Sequence, residues 1–438
     1  MKQKIPPLGA WGLFKTMKNT NLLLAFALVA ALFAGCTKTD NGGTVTPAPV
    51  LANEKVSGDV SGVWTKGGTY TVTNHLQIPA GKTLTIEEGA NVIFADSTIK
   101  PEVIVRGNLY VLGTATNPVK LTVPEGYKSA KTRFGRMWGG IICSNTCEEL
   151  LLQYATIEYG GAVSTDASPS VKAGLYKAAA GNADPVINYA NVNGKFVMQN
   201  CTVNNFAEDG IYVEGGKVII SNNTIYTTGD AGGDAINIKS GVVADVAFNV
   251  IYSPNTNALK LSNVGDRVPQ IYVIAYNNTI TNAGWRRPTI KGGSIWLEAG
   301  VRADLVNNLF VNNRFGIKRD VKNPEDTRST VSNNYYYGFT QMGVTQFQPN
   351  TEILKGTNDI LGTKAGDNDP KLVNFPLDNA GTNPDFNTTW DFSLQASSPA
   401  LGKGKTDFTR HHSAGLMLGG KTYSSPAPAT FVGAKGLK

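Results

Sequence analysis

Five side chains suited to binding a sugar chain recur along the second half of the sequence, each following an aliphatic residue in a short β-forming run. They are Tyr212, Asn237, Lys260, Trp296 and Lys318. An aromatic ring can lie against the apolar face of a sugar, while amide and ammonium groups reach hydroxyl or carboxylate oxygens. We interpret this row as the best candidate binding face. The alternative is a solvated sheet face, where aromatic and β-forming residues are favoured without any ligand.

A loop at residues 284–288 adds a second candidate element, because it lies in one of the longest repeats of the chain. It carries Trp285, followed by Arg286 and Arg287. Long loops on a rigid scaffold often carry binding residues. We expect this loop to overhang the row, with Trp285 as a further contact.

Catalytic chemistry has less support in the sequence. A polysaccharide lyase needs a basic side chain beside groups that neutralise a uronate carboxylate. Parts of such a site are present, but no spacing singles them out: Asp209, Asp230, Asp234, Lys239, Lys260 and Glu298. A hydrolase with paired carboxylates and an accompanying histidine is disfavoured, because His75 lies far upstream and the His411-His412 pair lies near the end of the chain. The catalytic residues therefore stay unassigned.

Metal and cofactor signals are weak. The triplet Gly232-Gly233-Asp234 is one fragment of a calcium-repeat pattern, and a single fragment is poor evidence for a site. Three histidines and four cysteines are too few for a convincing structural zinc site. We expect no cofactor, and calcium is the only ion that the pattern leaves open.

A short sequence motif, here called the phrase, recurs between residues 195 and 339 and indicates which elements position these residues. Its second position is Cys201, Asn223, Asn249, Asn278, Asn308 and Asn334, with steps of 22, 26, 29, 30 and 26 residues. A period of this length is typical of stacked repeats. Short alternating strands without a helical period then predict an all-β parallel β-helix, with a ladder of inward asparagines at one corner. The sequons at Asn200, Asn222 and Asn277 also permit N-glycosylation, but that alternative explains only half of the phrases.

Motifs in the amino-terminal half resemble the opening coils of right-handed β-helix surface lipoproteins of the Bacteroidetes type, in the pectin-lyase-like superfamily. They comprise residues 78–89, 113–119, 138–141 and 156–161. The resemblance covers most of residues 56–340 and implies a right-handed coil, which we assign to residues 56–348. Residues 349–438 resemble the closing segment of the same family, and we expect them to cap the last coil. The family resemblance carries little information about activity, because its glycines and ladder residues build turns and core.

The amino terminus has the pattern of an export signal. An apolar run at residues 22–33 follows several lysines and ends at Ala34-Gly35-Cys36, which resembles a bacterial lipobox. We assign residues 1–35 to a signal peptide whose true start is Met17, Cys36 to the lipidated residue, and residues 36–55 to a flexible tether. The expected location is the outer membrane, at the cell surface or the periplasmic face.

The net charge and the cysteine spacing bear on possible partners and on a disulfide. The formal charge is +7, and removal of the four lysines ahead of Cys36 reduces it to +3, so we expect no nucleic-acid partner. Export permits a disulfide between Cys143 and Cys147, although spacing alone cannot fix its geometry.

We expect a monomeric, membrane-anchored β-helix that binds an extended glycan without catalysis. A lyase acting on an acidic glycan, or an adhesive spacer, are the alternatives.

Overall fold

The computed structural model describes residues 52–175 and 179–438 of the 438-residue chain. The predicted signal peptide, Cys36 and most of the predicted tether lie outside these residues. The first strand begins at Asn53, within the range 36–55 that the sequence assigns to the tether. In the described part of the chain, no helix has the length and apolar character needed to span a membrane.

Short strands make up most of the described chain. In chain order they are β1 Asn53–Asp59, β2 Gly62–Trp64, β3 Thr69–Ile78, β4 Thr83–Glu87, β5 Asn91–Phe94, β6 Val103–Val105, β7 Asn108–Leu112, β8 Val119–Thr122, β9 Ile141–Cys143, β10 Glu149–Gln153, β11 Ala155–Glu158, β12 Ile187–Tyr189, β13 Lys195–Gln199, β14 Thr202–Phe206, β15 Ile211–Val213, β16 Gly216–Ser221, β17 Thr224–Thr228, β18 Ile236–Ile238, β19 Val242–Ala247, β20 Val250–Tyr252, β21 Asn257–Ser262, β22 Tyr272–Tyr276, β23 Thr279–Thr281, β24 Gly293–Glu298, β25 Arg302–Val306, β26 Leu309–Val311, β27 Ile317–Arg319, β28 Thr330–Ser332, β29 Tyr335–Tyr337, β30 Ile353–Leu354, β31 Ile360–Leu361, β32 Leu372–Asn374, β33 Asp391–Leu394, β34 Leu416–Leu418 and β35 Lys421–Tyr423. The helices are a 3₁₀ turn at Glu125–Tyr127, α1 at Pro169–Lys172 and α2 at Gln341–Phe347.

The strands stack in parallel, coil upon coil. A ten-stranded sheet from β2 to β28 forms the first stack. A 21-stranded sheet holds the other two: a second stack that includes β14, β17, β20, β23, β26 and β29, and a third stack that includes β12, β15, β18, β21, β24 and β27. Each coil contributes one strand to each stack in turn. The prediction of an all-β parallel β-helix is therefore confirmed.

The core forms because alternate residues of each strand point into the coil. In the third stack, Ile211, Ile236, Leu259, Ile295 and Ile317 lie in register on successive strands and are fully buried. They belong to one apolar cluster that runs from Trp64 to Phe347. The aliphatic residue that precedes each row residue therefore belongs to the core.

The asparagine ladder is also confirmed. The side-chain amide of each ladder asparagine donates to the next one along the coil, at 2.9 to 3.0 Å from Asn223 to Asn334. It also donates to a backbone carbonyl of the preceding coil, as Asn278 does to Val246 at 3.0 Å. The residue before each ladder position has a positive φ, between 50° and 60°. Asparagine tolerates this conformation better than most residues, which explains why the phrase so often begins with it.

The last coil is closed by a shorter segment than the sequence indicated. Helix α2 places Phe347 against Tyr336, with ring centroids 5.5 Å apart, and β30 pairs antiparallel with β27. These contacts cover the apolar end of the coil before residue 361. The antiparallel β30 ends the parallel pairing of the third stack, whereas the second stack gains one more parallel strand, β31 on β29.

Residues 372–434 do not continue this closure, which corrects the prediction that all of 349–438 caps the last coil. They form a strap along the outer faces of the first and second stacks. Leu416 and Leu418 pack on Leu151, Val197 and Ile219. Phe375, Phe392, Leu394 and Val432 pack on outward residues of β20, β26 and β29. Those outer faces are apolar, so covering them removes hydrophobic surface from water.

Candidate functional site

The five residues of the predicted row lie in one register on the third stack. Tyr212 pairs with Asn237, Asn237 with Lys260, Lys260 with Trp296, and Trp296 with Lys318. The aliphatic residue that precedes each of them is buried in the core, so all five side chains point away from it. The row is continuous in geometry, but only its second half lines an open depression.

That depression, here called the groove, has a volume of about 520 Å³. Its floor is the third stack from the coil of Asp209 to that of Lys318, and one wall is the loop at residues 284–292. Charged residues of both signs line it together with Trp296, among them Asp209, Asp234, Lys260, Arg287 and Glu298. The groove brings together four of the six residues that the sequence offered as parts of a lyase site. Asp230 lies exposed outside it, and Lys239 is buried beside it.

Trp296 lies at the centre of the groove, half-buried between two lysines of the neighbouring coils. Its indole N–H donates to Glu298 at 2.7 Å, which fixes the ring. Lys260 forms an ion pair with Glu298 at 3.4 Å, and the Lys318 ammonium lies 5.7 Å from the indole centroid. Lys318 also pairs with Glu352 at 2.8 Å. An oriented ring beside paired charges can offer a stacking surface together with donors and acceptors for hydroxyl groups.

Glu298 is ionised in this arrangement. Burial opposes its charge, but the hydrogen bond from Trp296 and the charge of Lys260 outweigh that effect and hold its pKa below the usual value. For the neighbouring Lys239, burial outweighs the attraction of nearby acids. Burial, reinforced by the charge of Lys260, lowers the pKa of the Lys239 ammonium. The groove therefore combines fixed charges with one amine that is more easily deprotonated than an ordinary lysine.

Two adjacent carboxyl groups form the other end of the groove. Asp209 accepts the Asp234 backbone N–H at 2.7 Å, and Asp234 accepts two bonds from Asn257, at 2.9 Å from its backbone and 2.8 Å from its side chain. Asn237 donates its amide to both carboxyl groups, at 3.0 and 3.3 Å. Burial and the charge of Asp209 raise the pKa of Asp234 to about 6. These acids are thus bonded internally, at equivalent corners of successive coils.

The loop at residues 284–292 is fastened over the groove by arginines on either side. Arg286 donates to the carbonyls of Thr228, Gly229 and Ser253. Arg314 donates to three carbonyls of the loop itself. This leaves Arg287 and Lys291 on the groove wall, where Arg287 has only neutral acceptors and Lys291 has no ion pair among the described residues. The loop therefore overhangs the row, as the sequence indicated.

Three of the predicted contact residues lie elsewhere. Trp285 turns away from the groove, where its indole N–H donates to the Asn312 carbonyl at 2.6 Å and its ring packs near Gly381 of the strap. Tyr212 packs with Ile104, Ile142 and Leu175 under a segment inserted between β11 and β12. Asn237 is only 5% exposed. Lys260, Trp296 and Lys318 are the predicted row residues that line the groove.

Glu208, Ile290 and Lys291 also line the groove but were not predicted from the sequence, and Glu298 was predicted only as one acid among several. Glu298 lies two residues after Trp296, and that spacing puts both side chains on the same face of a strand. This signal was available in the sequence. The position of Lys291 had no such signal, because it depends on how the arginines fasten the loop.

Cys143 and Cys147, the predicted disulfide, are free thiols in the structure, and both are buried in the coil core. Their inward position within one turn brings the side chains together without a covalent bond, and burial and the neighbouring Cys147 raise the pKa of Cys143. Among the described residues, no group of three or more acidic, histidine or cysteine side chains is arranged to hold a metal ion.

The groove lies in a part of the chain that is similar to a known repeat family. Residues 186–357 match a family model described as a right handed beta helix region. The match spans less than half of the chain and includes every coil of the groove. With the stacked parallel strands, it confirms the predicted right-handed β-helix and supports a pectin-lyase-like fold. No curated protein matches the chain, and no solved structure matches it.

Proposed function

We propose that this protein binds an extended glycan along the groove without catalysis. The observation that carries the proposal is the position of Trp296, whose ring is fixed by Glu298 on the floor of an open groove. An aromatic platform flanked by charged pairs is well suited to a sugar ring, which has an apolar face and a polar edge. The stacked coils also repeat the floor along one direction, as a linear ligand requires.

The charges of the loop favour a glycan that carries some anionic groups. The groove acids are engaged in hydrogen bonds or ion pairs, whereas Arg287 has neutral partners and Lys291 has no ion pair among the described residues. An anionic substituent on the ligand would pair with these cations without displacing an internal contact. We therefore expect carboxylated glycans to bind more tightly than neutral ones of the same length.

The experiment is a binding panel of neutral and acidic polysaccharides against the full chain. Replacement of Trp296 by alanine should weaken binding by about 1 to 3 kcal/mol with little change in melting temperature, because a hot-spot aromatic contributes through contact area. Tyr127→Ala is the matched control, since Tyr127 is an exposed aromatic residue that does not line the groove. Unchanged affinity in Trp296→Ala would remove the groove from consideration. Absence of binding to any polysaccharide would favour a structural spacer.

A lyase acting on an acidic glycan is the second candidate, supported by the lowered pKa of Lys239 beside Lys260 and the acids. An amine that loses its proton more easily than an ordinary lysine is better suited to act as a base. The same panel tests it, because a lyase forms unsaturated products that absorb ultraviolet light. In that case Lys239→Ala, which removes the base, should abolish the absorbance increase while the polysaccharide is still retained. No increase with the parent protein would leave binding as the function.

We further propose that the protein is a lipid-anchored outer-membrane protein. The support is the sequence Ala34-Gly35-Cys36 at the end of an apolar run. Only the Cys36 thiol can receive the diacylglycerol at this site, so Cys36→Ala should abolish labelling by a clickable fatty acid. Cys201→Ala, which removes a buried core thiol, is the control and should keep the label. Label that persists in Cys36→Ala would contradict the anchor.

A further inference from the structure

The segment inserted between β11 and β12, described at residues 159–175 and 179–185, borders a second cavity that shares no lining residue with the groove. It folds over the third stack, where Leu175 packs on Ile104 and Ile142. Between the segment and the coil is a space of about 310 Å³, here called the insertion cavity. His75, Lys100, Glu102 and Asp184 are the ionisable groups that line it.

Glu102 is a built part of the cavity wall. It is 1% exposed, and its two carboxylate oxygens accept the backbone N–H and the hydroxyl of Ser170, each at 2.9 Å. These bonds hold α1 against the coil. The Glu102 backbone N–H in turn donates to Nδ1 of His75 at 3.1 Å. Burial lowers the pKa of His75, so the ring is neutral and carries its proton on Nε2.

Asp184 has no such partners. It is 2% exposed, yet its carboxyl group makes no hydrogen bond or ion pair with any residue that the structure describes. It lies beside Glu102: a Cβ atom on Gly139 would be 2.8 Å from Oδ2 of Asp184 and 2.9 Å from Cγ of Glu102. Only glycine fits where the two acids approach. A buried carboxyl group without a partner is unfavourable unless a ligand or a proton satisfies it.

We propose that the insertion cavity binds a primary ammonium group, which Asp184 holds beside Glu102. An ammonium supplies hydrogen-bond donors for the unpartnered oxygens and a positive charge for two adjacent acids. It needs few ligands, whereas calcium takes six to eight oxygens and the oxygens of Glu102 are already bonded to Ser170. An amino sugar or the amine of a peptide could supply the group.

The charges around Asp184 favour an ammonium ligand. In the empty cavity, burial and the charge of Glu102 raise the pKa of Asp184 to about 8, so the group is protonated at neutral pH. Lys100 lines the same cavity, but it forms no ion pair with either acid, and Lys172 lies in the adjoining depression beside His75. Among the described residues, therefore, no cation forms an ion pair with either acid. A bound ammonium would lower the pKa of Asp184 and release its proton.

Calorimetry on the full chain tests the proposal with glucosamine and lysine amide as two sources of the amine. N-acetylglucosamine is the matched ligand without a charge. We expect one or both amines to bind at neutral pH with release of about one proton, measured in two buffers of different ionisation enthalpy. N-acetylglucosamine should bind at least tenfold more weakly. The amine that binds identifies the source, and binding of neither amine would overturn the proposal.

Asp184→Asn is the decisive variant, because it keeps the shape of the side chain and removes its charge. It should weaken amine binding about tenfold or more and abolish proton release. Asp166→Asn, an exposed acid of the same segment, is the control and should change neither. Since an ionised Asp184 is unfavourable beside Glu102, Asp184→Asn should melt at a higher temperature than the parent above pH 8, which shows that it folds. Unchanged amine affinity in a folded Asp184→Asn protein would refute the site, whatever the groove binds.

Discussion

A single residue type performs two separate tasks at one corner of the coil. The first asparagine of the phrase accommodates a positive φ, and the second forms the ladder through its side chain. Phe248 occupies the first position in one coil with a φ of 56°, so the backbone conformation does not require asparagine. The ladder position is more demanding, because its side chain must both donate and accept inside the protein.

Replacement of Asn278 by alanine tests the ladder. Its amide donates to Val246 and Asn308, and its carbonyl accepts from the backbone and the side chain of Asn249. The truncation leaves several buried groups without partners, and we expect a loss of about 3 kcal/mol or more in the free energy of unfolding. Denaturant unfolding measures it. Asn323→Ala is the control, because Asn323 is exposed, and its loss should be below about 0.5 kcal/mol. Equal losses would mean that the ladder is dispensable.

At the residue scale, the sequence predicts the direction of a side chain better than its exposure. The alternation of apolar residues predicts correctly that Tyr212, Lys260 and Trp296 point away from the core. It cannot predict that Leu175 covers the surface beside Tyr212, because the inserted segment has no repeat and its contacts are long-range. It also cannot show that the Asn237 amide is bonded to both Asp209 and Asp234, since Asp209 reaches it from the preceding coil.

Among the elements, the strap is the one whose position the sequence did not reveal. Strands such as Leu309–Val311 and Tyr335–Tyr337 are apolar at every position. A strand that is apolar on both faces is buried on both faces, so the sequence did contain a signal for an outer covering. Nothing in the chain indicated which segment supplies it. The apolar residues of the strap are equally suited to closing the open end of the coil, so their sequence does not distinguish the two positions.

The strap is fastened near its middle by a pair of histidines. Asp245, on an outer face of the coil, accepts the backbone N–H groups of His411 and His412, at 3.1 and 2.8 Å. A ring nitrogen of His412 is 3.0 Å from the carbonyl oxygen of Val243. Burial lowers the pKa of both histidines, although Asp245 acts in the opposite direction. Both rings are therefore neutral when the strap is docked.

This predicts that docking of the strap weakens in acid. A detached histidine has an ordinary pKa of about 6.5, so the detached strap binds more protons than the docked one below that pH. The histidine contribution to docking is complete above about pH 6.5 and declines as the pH falls below it. Hydrogen exchange across residues 405–425, corrected for the intrinsic effect of pH, should increase between about pH 7.5 and 5.5.

A double variant separates the histidines from other acid effects. His411→Gln with His412→Asn keeps polar side chains and removes both titrating groups. Its strap should exchange at the same corrected rate at the two pH values. The exchange of β16 and β19 in the coil should show no comparable increase in either protein. A pH response that survives the double variant would assign the effect to groups other than these histidines.

At the scale of the whole molecule, the spacing of the coils sets the length of ligand that the groove can contact. Lys318 lies four coil steps from Asp209, through the levels of Asp234, Lys260 and Trp296. At about 4.8 Å per step, the groove floor extends over roughly 19 Å. The architecture was predictable from the period of the asparagine phrase, but the open length of the groove was not. It is fixed by two non-periodic segments, the inserted segment over Tyr212 and the closure after β27.

A sugar unit in an extended chain is about as long as one coil step, so the groove should hold four or five units. We expect the affinity for oligosaccharides of the polymer that the panel identifies to rise with each unit up to that length and then to level off, because further units find no new contacts. Titration calorimetry with a size series from disaccharide to octasaccharide measures this. In Trp296→Ala the whole series should bind more weakly, but its plateau should stay at the same length, since the walls of the groove are unchanged. A disaccharide that binds as tightly as the octasaccharide would show that the site recognises a single sugar or a chain end, and not an extended segment lying along the coil.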